Sequence, residues 1–157
     1  MSEDPTDRLT QAIELAARNV AQGGGPFGAL VVTPDGRVFE GVNRVTIDND
    51  PTAHAEVVAI RAACRALGTF DLSGCVLYAS CEPCPMCLAS SLWARVDHVY
   101  FAADRHDAAR AGFDDARFYD YFHGRGDRSL MPVEHVRVAT SDEPFRAWAA
   151  FEARVEY

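Results

Sequence analysis

Two short stretches decide the fold of this chain: His54-Ala55-Glu56, and Glu82-Pro83-Cys84-Pro85-Met86-Cys87 further along. One imidazole and two thiols can hold a zinc ion through three protein ligands, which leaves the fourth tetrahedral position open for water. Glu56 follows the histidine by two residues and is suited to exchange a proton with that water. The two stretches therefore predict a catalytic zinc centre with His54, Cys84 and Cys87 as ligands.

Other kinds of site can share half of this pattern. A lone Cys-x-x-Cys pair also occurs in thioredoxin-like redox proteins and as half of a structural zinc site. The chain has no second Cys-x-x-Cys pair to complete a four-cysteine site, and no thioredoxin-like strand precedes the pair. A structural zinc site, with Glu56 incidental, stays the principal alternative.

Composition limits the class of protein. The chain has 157 residues, 48% of them hydrophobic, which is enough for one compact core and short for two, so we expect a single domain over residues 1–157. A net charge of −8 argues against a nucleic-acid surface. No apolar run approaches the length of a membrane span, and the acidic N-terminus does not resemble a secretory signal. Five cysteines, three of them crowded between residues 81 and 87, favour metal-bound thiolates in a cytoplasmic protein.

Hydrophobic periodicity and turn residues predict the order of helices and strands. Helices are expected at 8–21, 52–67, 84–95 and 144–156, with a helix or helix-loop at 104–122, and strands at 27–33, 37–42, 75–80, 98–103 and 133–139. This order predicts a three-layer α/β/α sandwich with a mixed five-stranded sheet. The long connection between residues 104 and 132 predicts that the last strand is parallel to its neighbour.

The predicted helix starts bring the ligands together. His54 and Glu56 can share a site only in the first turn of their helix, because residues two apart on a regular helix point in different directions. Cys84 and Cys87 are three apart and face the same way at the start of the next helix, where the thiolate form is favoured. Two helix N-termini thus converge on one zinc ion.

Longer stretches carry a family resemblance. The two stretches together match H-x-E…P-C-x-x-C, the pattern of zinc nucleobase deaminases. The further matching segments are 24–29, 49–56, 80–88, 93–95, 107–109, 112–115 and 156–157. With them the chain resembles the cytidine-deaminase-like zinc enzymes and, within that group, the bacterial guanine deaminases. The tRNA adenosine deaminases are similar mainly through the zinc motif, and this chain lacks the basic face expected of them.

The resemblance implies roles for individual residues. It implies that zinc is the cofactor and that Glu56 shuttles protons. It implies that Asp115 contacts the base and helps to move protons to the leaving amine. The remaining residues implied to bind the base are Asn43, the backbone near Ala55, and the aromatic side chains of Phe27 and Trp93.

The resemblance also implies a homodimer. In similar enzymes two chains exchange the C-terminal segment, here about residues 141–157, and the final tyrosine closes the neighbour's pocket. Tyr157 would then act in trans.

The implied reaction is the hydrolysis of guanine to xanthine and ammonia, with a small nucleobase as the substrate partner. The same mechanism on cytosine, on an amino-triazine such as ammeline, or on guanosine stays open. A tRNA adenosine deaminase and a structural-zinc binding module are the more distant alternatives. Arg44, beside Asn43, and Ser90-Ser91 depart from the expected family pattern and bear on substrate preference.

Overall fold

The computed structural model describes residues 4–124 and 126–157. The chain divides into two compact units, Met1–Gly126 and Asp127–Tyr157. The helices and strands of the first unit are α1 Pro5–Ala21, β1 Gly28–Val32, β2 Val38–Val42, α2 Val45–Asp48, α3 Ala55–Leu67, β3 Val76–Cys81, α4 Pro85–Trp93, β4 His98–Ala103, α5 Arg105–Arg110 and α6 Ala116–Phe122. The second unit contains a 3-10 turn, Arg128–Leu130, and α7, Glu143–Ala150.

The sheet of the first unit has four strands in the order β2-β1-β3-β4. β1 is antiparallel to β2 and to β3, whereas β3 and β4 are parallel. The parallel pair is joined by α4, because parallel neighbours need a crossover connection. The sheet is therefore mixed, as the sequence predicts.

Alternating side chains of β1 divide the core into two halves. Ala29 and Val31 pack with α3 on one face, and Leu30 and Val32 pack with α1 on the other. Successive side chains of a strand point to opposite faces, and β1 is buried along its whole length. The helix–sheet–helix layering of the prediction is confirmed in this unit.

The first helix begins earlier than its apolar stripe indicates. Asp4 is the N-cap, and its side chain accepts a hydrogen bond from the backbone N–H of Thr6 at 3.0 Å. The expected start at residue 8 was therefore wrong. Pro5 fits the first helical position, where its missing N–H costs nothing, so the cap lies before it.

The fifth strand that the sequence predicts is not found among the described residues. Residues 133–139 form no strand, and the sheet has four strands among the described residues. Val133 and Val136 are both 76% exposed in the single chain. Strand propensity reflects packing on a sheet surface rather than an intrinsic backbone preference, and here the apolar residues cover no surface. A five-stranded sheet within one chain was therefore wrong.

The second unit contains no buried residue. Its helix, α7, ends at Ala150 and not at Glu156, because a short helix gains most of its stability from packing that this unit lacks. The single domain over residues 1–157, with a C-terminal segment exchanged in a dimer, stays a prediction.

Within the described ranges, no helix has both the length and the apolar content that a membrane crossing requires.

Candidate active site

The histidine of the predicted site lies at the start of α3. His54 is the N-cap, with extended backbone at φ −69° and ψ 153°, and its carbonyl accepts from Val58 N at 2.9 Å. Glu56 is the second helical residue. The bend at the cap lets the imidazole and the carboxylate approach one region, which a regular helix would not allow.

The cysteines lie at the start of α4 in the same way. Cys84 is the N-cap and Pro85 occupies the first helical position. Cys87 follows one turn into the helix and is fully buried. The two sulfur atoms therefore face a helix N-terminus, whose partial positive charge favours thiolates.

The three side chains fit a zinc ion. Their ligand atoms lie within 4.8 Å of one another, and His54 Nδ1 is 3.5 Å from the Sγ atoms of both Cys84 and Cys87. Tetrahedral zinc, with Zn–N and Zn–S bonds of about 2.05 and 2.3 Å, separates nitrogen from sulfur by about 3.5 Å. The match favours Nδ1 as the nitrogen through which His54 could bind zinc.

The two thiols differ in acidity. A hydrogen bond from Cys87 lowers the pKa of Cys84 to about 4, and the His54 ring acts in the same direction. The hydrogen bond to Cys84 and burial raise the pKa of Cys87. Two adjacent buried thiolates repel each other unless a cation neutralises them, so this pair is suited to a divalent metal.

Glu56 lies directly beside the metal ligands. Its side chain is buried, and Oε2 is 3.4 Å from Cys87 Sγ. Burial raises the pKa of this carboxyl above its ordinary value. A carboxyl group in this position can take a proton from a water molecule at the fourth zinc position and return it to a ligand.

A cavity of about 270 Å³ opens on this face of the site. The residues that line it are Gly25, Phe27, Asn43, Val45, Thr46, His54, Glu56, Cys81, Glu82, Cys84, Phe113, Asp114, Asp115 and Phe118. Phe27 packs edge-on against Phe113, with ring centroids 4.8 Å apart. The volume is slightly below the usual range for ligand pockets, roughly 300–1,000 Å³, and suits a single aromatic base.

Asn43 presents a donor to this cavity. The residue is buried, and its Oδ1 accepts from Val45 N at 3.2 Å. No hydrogen bond within the described part of the chain engages its Nδ2 group. That amide is therefore suited to donate to a carbonyl or ring nitrogen of a ligand.

Asp115 presents an acceptor to the same cavity. Its Oδ1 is buried and has no hydrogen-bond partner among the described residues. Burial raises the pKa of this carboxyl group. A buried polar atom without a partner is costly, so Oδ1 is suited to a donor on a bound ligand.

The other predicted binding residues occupy different places. Ala55 is fully buried as the first residue of α3, where its N–H has no partner within the helix. Trp93 ends α4, is 63% exposed and does not line the cavity. A rise of eight residues along the helix places Trp93 about 12 Å from Pro85, so the structure does not bring Trp93 to the site within this chain.

Tyr157 belongs to the second unit and lines a cavity there with Trp148. Its action in trans stays a prediction.

Sequence patterns missed part of the site. Phe113 and Phe118 line the cavity, and their signals were the aromatic-rich segment 104–122 and, for Phe113, the matching segment 112–115. Asn19 of α1 was also missed, since its role depends on tertiary contacts. Its Nδ2 donates at 2.8 Å to the carbonyls of Gly25 and Asn43, two cavity-lining residues. Arg44 pairs with Asp48 at 2.8 Å and does not line the cavity.

Comparison with known proteins gives a consistent result. The family model for the cytidine and deoxycytidylate deaminase zinc-binding region matches residues 2–103. The guanine deaminase of Bacillus subtilis (strain 168) is 47% identical over 95% of this chain and 96% of its own length. The X-ray structure of guanine deaminase from Bacillus subtilis superposes with a TM-score of 0.92 at 45% identity, covering 99% of both chains. A tRNA-specific adenosine deaminase of Aquifex aeolicus is 41% identical, over 60% of this chain and 63% of its own length.

Proposed function

This chain belongs to the cytidine and deoxycytidylate deaminase zinc-binding family, and we propose that it hydrolyses guanine to xanthine and ammonia. One observation favours guanine as the substrate among those of the family. The similarity to a guanine deaminase continues through the whole chain, whereas the family model ends at residue 103. Asp115 and the aromatic rings that line the cavity beside it lie in this additional part.

Zinc is the cofactor, and the three ligands described above are suited to hold it. When bound, zinc supplies a Lewis acid that brings the pKa of a water molecule close to neutrality. His54 contributes Nδ1 and the cysteines contribute their thiolates. Glu56, beside Cys87, is the carboxyl group that would accept a proton at this position.

Two of the four acidic residues that line the cavity, Glu56 and Asp115, divide the proton transfers. Glu56 takes the proton from water as oxygen bonds to C2 of guanine, and passes it to the neighbouring ring nitrogen. Asp115 accepts a hydrogen bond from the exocyclic amine through Oδ1 and transfers to that amine nitrogen the proton that the new C2 hydroxyl loses as it becomes a carbonyl. The bond between C2 and the exocyclic nitrogen then breaks and ammonia leaves, so one water is consumed for each xanthine formed.

The remaining cavity groups hold the base. Asn43 donates from Nδ2 to a carbonyl or ring nitrogen, and the Ala55 N–H is a second donor. Phe27 and Phe113 supply apolar faces for the planar ring. Trp93 contributes to this pocket only if an arrangement beyond the single chain brings it there.

Ammonia release tests the proposed substrate. Purified, zinc-loaded protein would be given guanine, cytosine, ammeline, guanosine and adenine in parallel, and xanthine would be followed separately by absorbance. We expect kcat/KM for guanine to exceed the values for the other compounds by at least 100-fold. Preference for cytosine or ammeline would retain the zinc chemistry and refute guanine as the substrate. Protein that binds zinc but deaminates nothing would support a structural-zinc module.

We also propose that the chain acts as a homodimer in which residues 127–157 pack on the neighbouring subunit. The large apolar side chains of this unit are all more than one third exposed in the single chain, including Phe145, Trp148 and Phe151. A segment that buries so little gains stability only from a partner. Tyr157 would then reach the neighbour's cavity, and light scattering during gel filtration is expected to give twice the mass of one chain.

A cytoplasmic location is the last part of the proposal. Zinc-binding thiolates persist in a reducing compartment, and all five cysteines are free. Fractionation of cells that express the protein would test this location; recovery in a secreted or membrane fraction would refute it.

A further inference from the structure

Arg105, the first residue of α5, forms an unusual ion pair with Glu82, which precedes the zinc ligand Cys84 by two residues. Its Nη2 lies 2.7 Å from Glu82 Oε1, its Nε lies 3.2 Å from both carboxylate oxygens, and its backbone N–H donates to Oε2 at 2.8 Å. Both side chains are less than one third exposed, which no other ion pair among the described residues matches. Several charge-assisted hydrogen bonds to one planar guanidinium make this contact rigid.

The same guanidinium contacts α6. Arg105 Cζ lies 3.5 Å from the centroid of the Tyr119 ring. The Tyr119 hydroxyl donates to the carbonyl of Pro83, in the loop that leads into Cys84. A cation over a buried aromatic face is attracted by the ring quadrupole. Arg105 therefore joins α6 to the loop of the zinc ligands, through Glu82 on one side and Tyr119 on the other.

Asp115 depends on this connection because little else holds its side chain. It is the N-cap of α6, four residues and about one turn before Tyr119, and its carbonyl accepts from Phe118 N at 2.9 Å. Its side chain makes no cap hydrogen bond, and Oδ1 has no partner among the described residues. The position of this carboxylate in the cavity is thus set by the backbone of α6.

We propose that Arg105 is a positioning residue that holds Asp115 at the reacting base by fixing α6 against the Glu82–Cys84 loop. Arg105 itself neither lines the cavity nor belongs to the set of metal ligands, and its only contact with a cavity-lining residue among the described contacts is the ion pair with Glu82. Its effect on the reaction passes through Asp115, and the inference rests on the catalytic role proposed for that residue. Without the guanidinium, α6 shifts relative to the loop, and a catalytic group displaced by about 1 Å loses roughly 100-fold in rate.

Substitution of Arg105 is the first test. In Arg105→Met we expect kcat to fall by 10- to 100-fold, with zinc bound per chain and the circular dichroism spectrum unchanged. Arg105→Lys keeps the charge but not the planar fork, so it should recover only part of the loss. Arg110→Met is the matched control, because Arg110 ends the same helix and its one ion pair within the described ranges is with Asp107 at the surface. We expect the control to stay within twofold of the wild type.

A double-mutant cycle with Asp115 separates positioning from general destabilisation. In an Asp115→Asn background, Arg105→Met should lower kcat by less than threefold further, because the group that it positions has already been removed. Equal losses in both backgrounds would overturn the proposal, as would unchanged kcat in Arg105→Met or a loss that parallels loss of zinc. If the wild type prefers another base, guanine as the substrate is refuted, and the same cycle run with that base still decides the role of Arg105. A chain that deaminates no base would overturn both.

Discussion

Residues 4–124 and residues 127–157 differ in how they use their apolar side chains. The first region buries apolar side chains on both faces of the sheet, with Leu30 and Leu77 completely inaccessible. The second region is also rich in apolar side chains, yet none of its residues is buried. The first region therefore has its packing partners within its own sequence, and the second does not.

The region with the buried core is also the region that holds the proposed catalytic groups. All groups proposed to bind zinc and move protons belong to the first region, whereas only Tyr157 of the predicted site belongs to the second. Self-contained packing can hold catalytic atoms at fixed distances, because buried side chains leave little room for movement. The second region is suited instead to complete a site or an interface after it has found a partner.

Loss of a zinc ligand should produce the largest effect in the first region. Cys87→Ala removes a buried thiolate from a three-ligand site, so we expect less than about a tenth of the wild-type zinc content and no detectable ammonia release. Zinc would be measured by mass spectrometry after desalting. Cys64→Ala, a cysteine away from the ligands, serves as the control and should keep its zinc. Full zinc content in Cys87→Ala would remove this residue from the ligand set.

Substitution of the proton shuttle should produce the next largest effect. Glu56→Gln keeps the size of the side chain but removes the proton-accepting carboxylate, so kcat should fall by about 10²–10⁴-fold while zinc stays bound. Glu14→Gln on the exposed side of α1 is the matched control and should leave kcat unchanged. A Glu56→Gln variant with near-normal kcat would show that another group carries the proton.

The same difference explains what the sequence could predict. The strand His98–Ala103 was predicted with the bounds that the structure has, and its pairing partner, β3, lies within the first region. His54 and Glu56 were predicted to lie in the first turn of a helix that starts at residue 52, but the helix starts at Ala55, so Glu56 is in its first turn and His54 is its N-cap. Membership of the deaminase family, predicted from motif spacing and wider resemblance, is confirmed by the comparisons.

The errors and omissions came from contacts distant in sequence or outside the single chain. Residues 133–139 have the composition of a strand, but pairing needs a neighbour that a local pattern cannot supply. The stacking role predicted for Trp93 stays a prediction, since this residue ends α4 and does not line the cavity of the single chain. Asn19, by contrast, looks like an ordinary helical residue, and only the folded chain reveals its contacts with two cavity-lining carbonyls.

A charge in the second region would test whether its apolar surface is an interface. Val136 is exposed in the single chain, so Val136→Asp should not alter the folding of the first region. In a dimer that buries this position, an unpaired carboxylate is costly, and we expect the dissociation constant to rise by at least 100-fold. Analytical ultracentrifugation would measure it, with His135→Asp as a control for the added charge. A dimer as tight as the wild type would exclude Val136 from the interface.

A single methyl group in the first region should give the smallest effect of the four. Gly41 of β2 lies against α3, and a Cβ there would overlap the carbonyl of Ala55 and the backbone nitrogen of Ala59. Because such packing has no room to relax freely, Gly41→Ala should lower the free energy of unfolding by about 1–3 kcal/mol. The exposed neighbouring substitution Glu40→Ala should change it by less than about 0.5 kcal/mol in the same denaturant titration. Ala55 separates His54 from Glu56, so a shift of α3 large enough to relieve the overlap would also move the site. A Gly41→Ala protein of unchanged stability would mean that the first region is less tightly packed than its buried core implies, and the contrast between the two regions would then be one of degree.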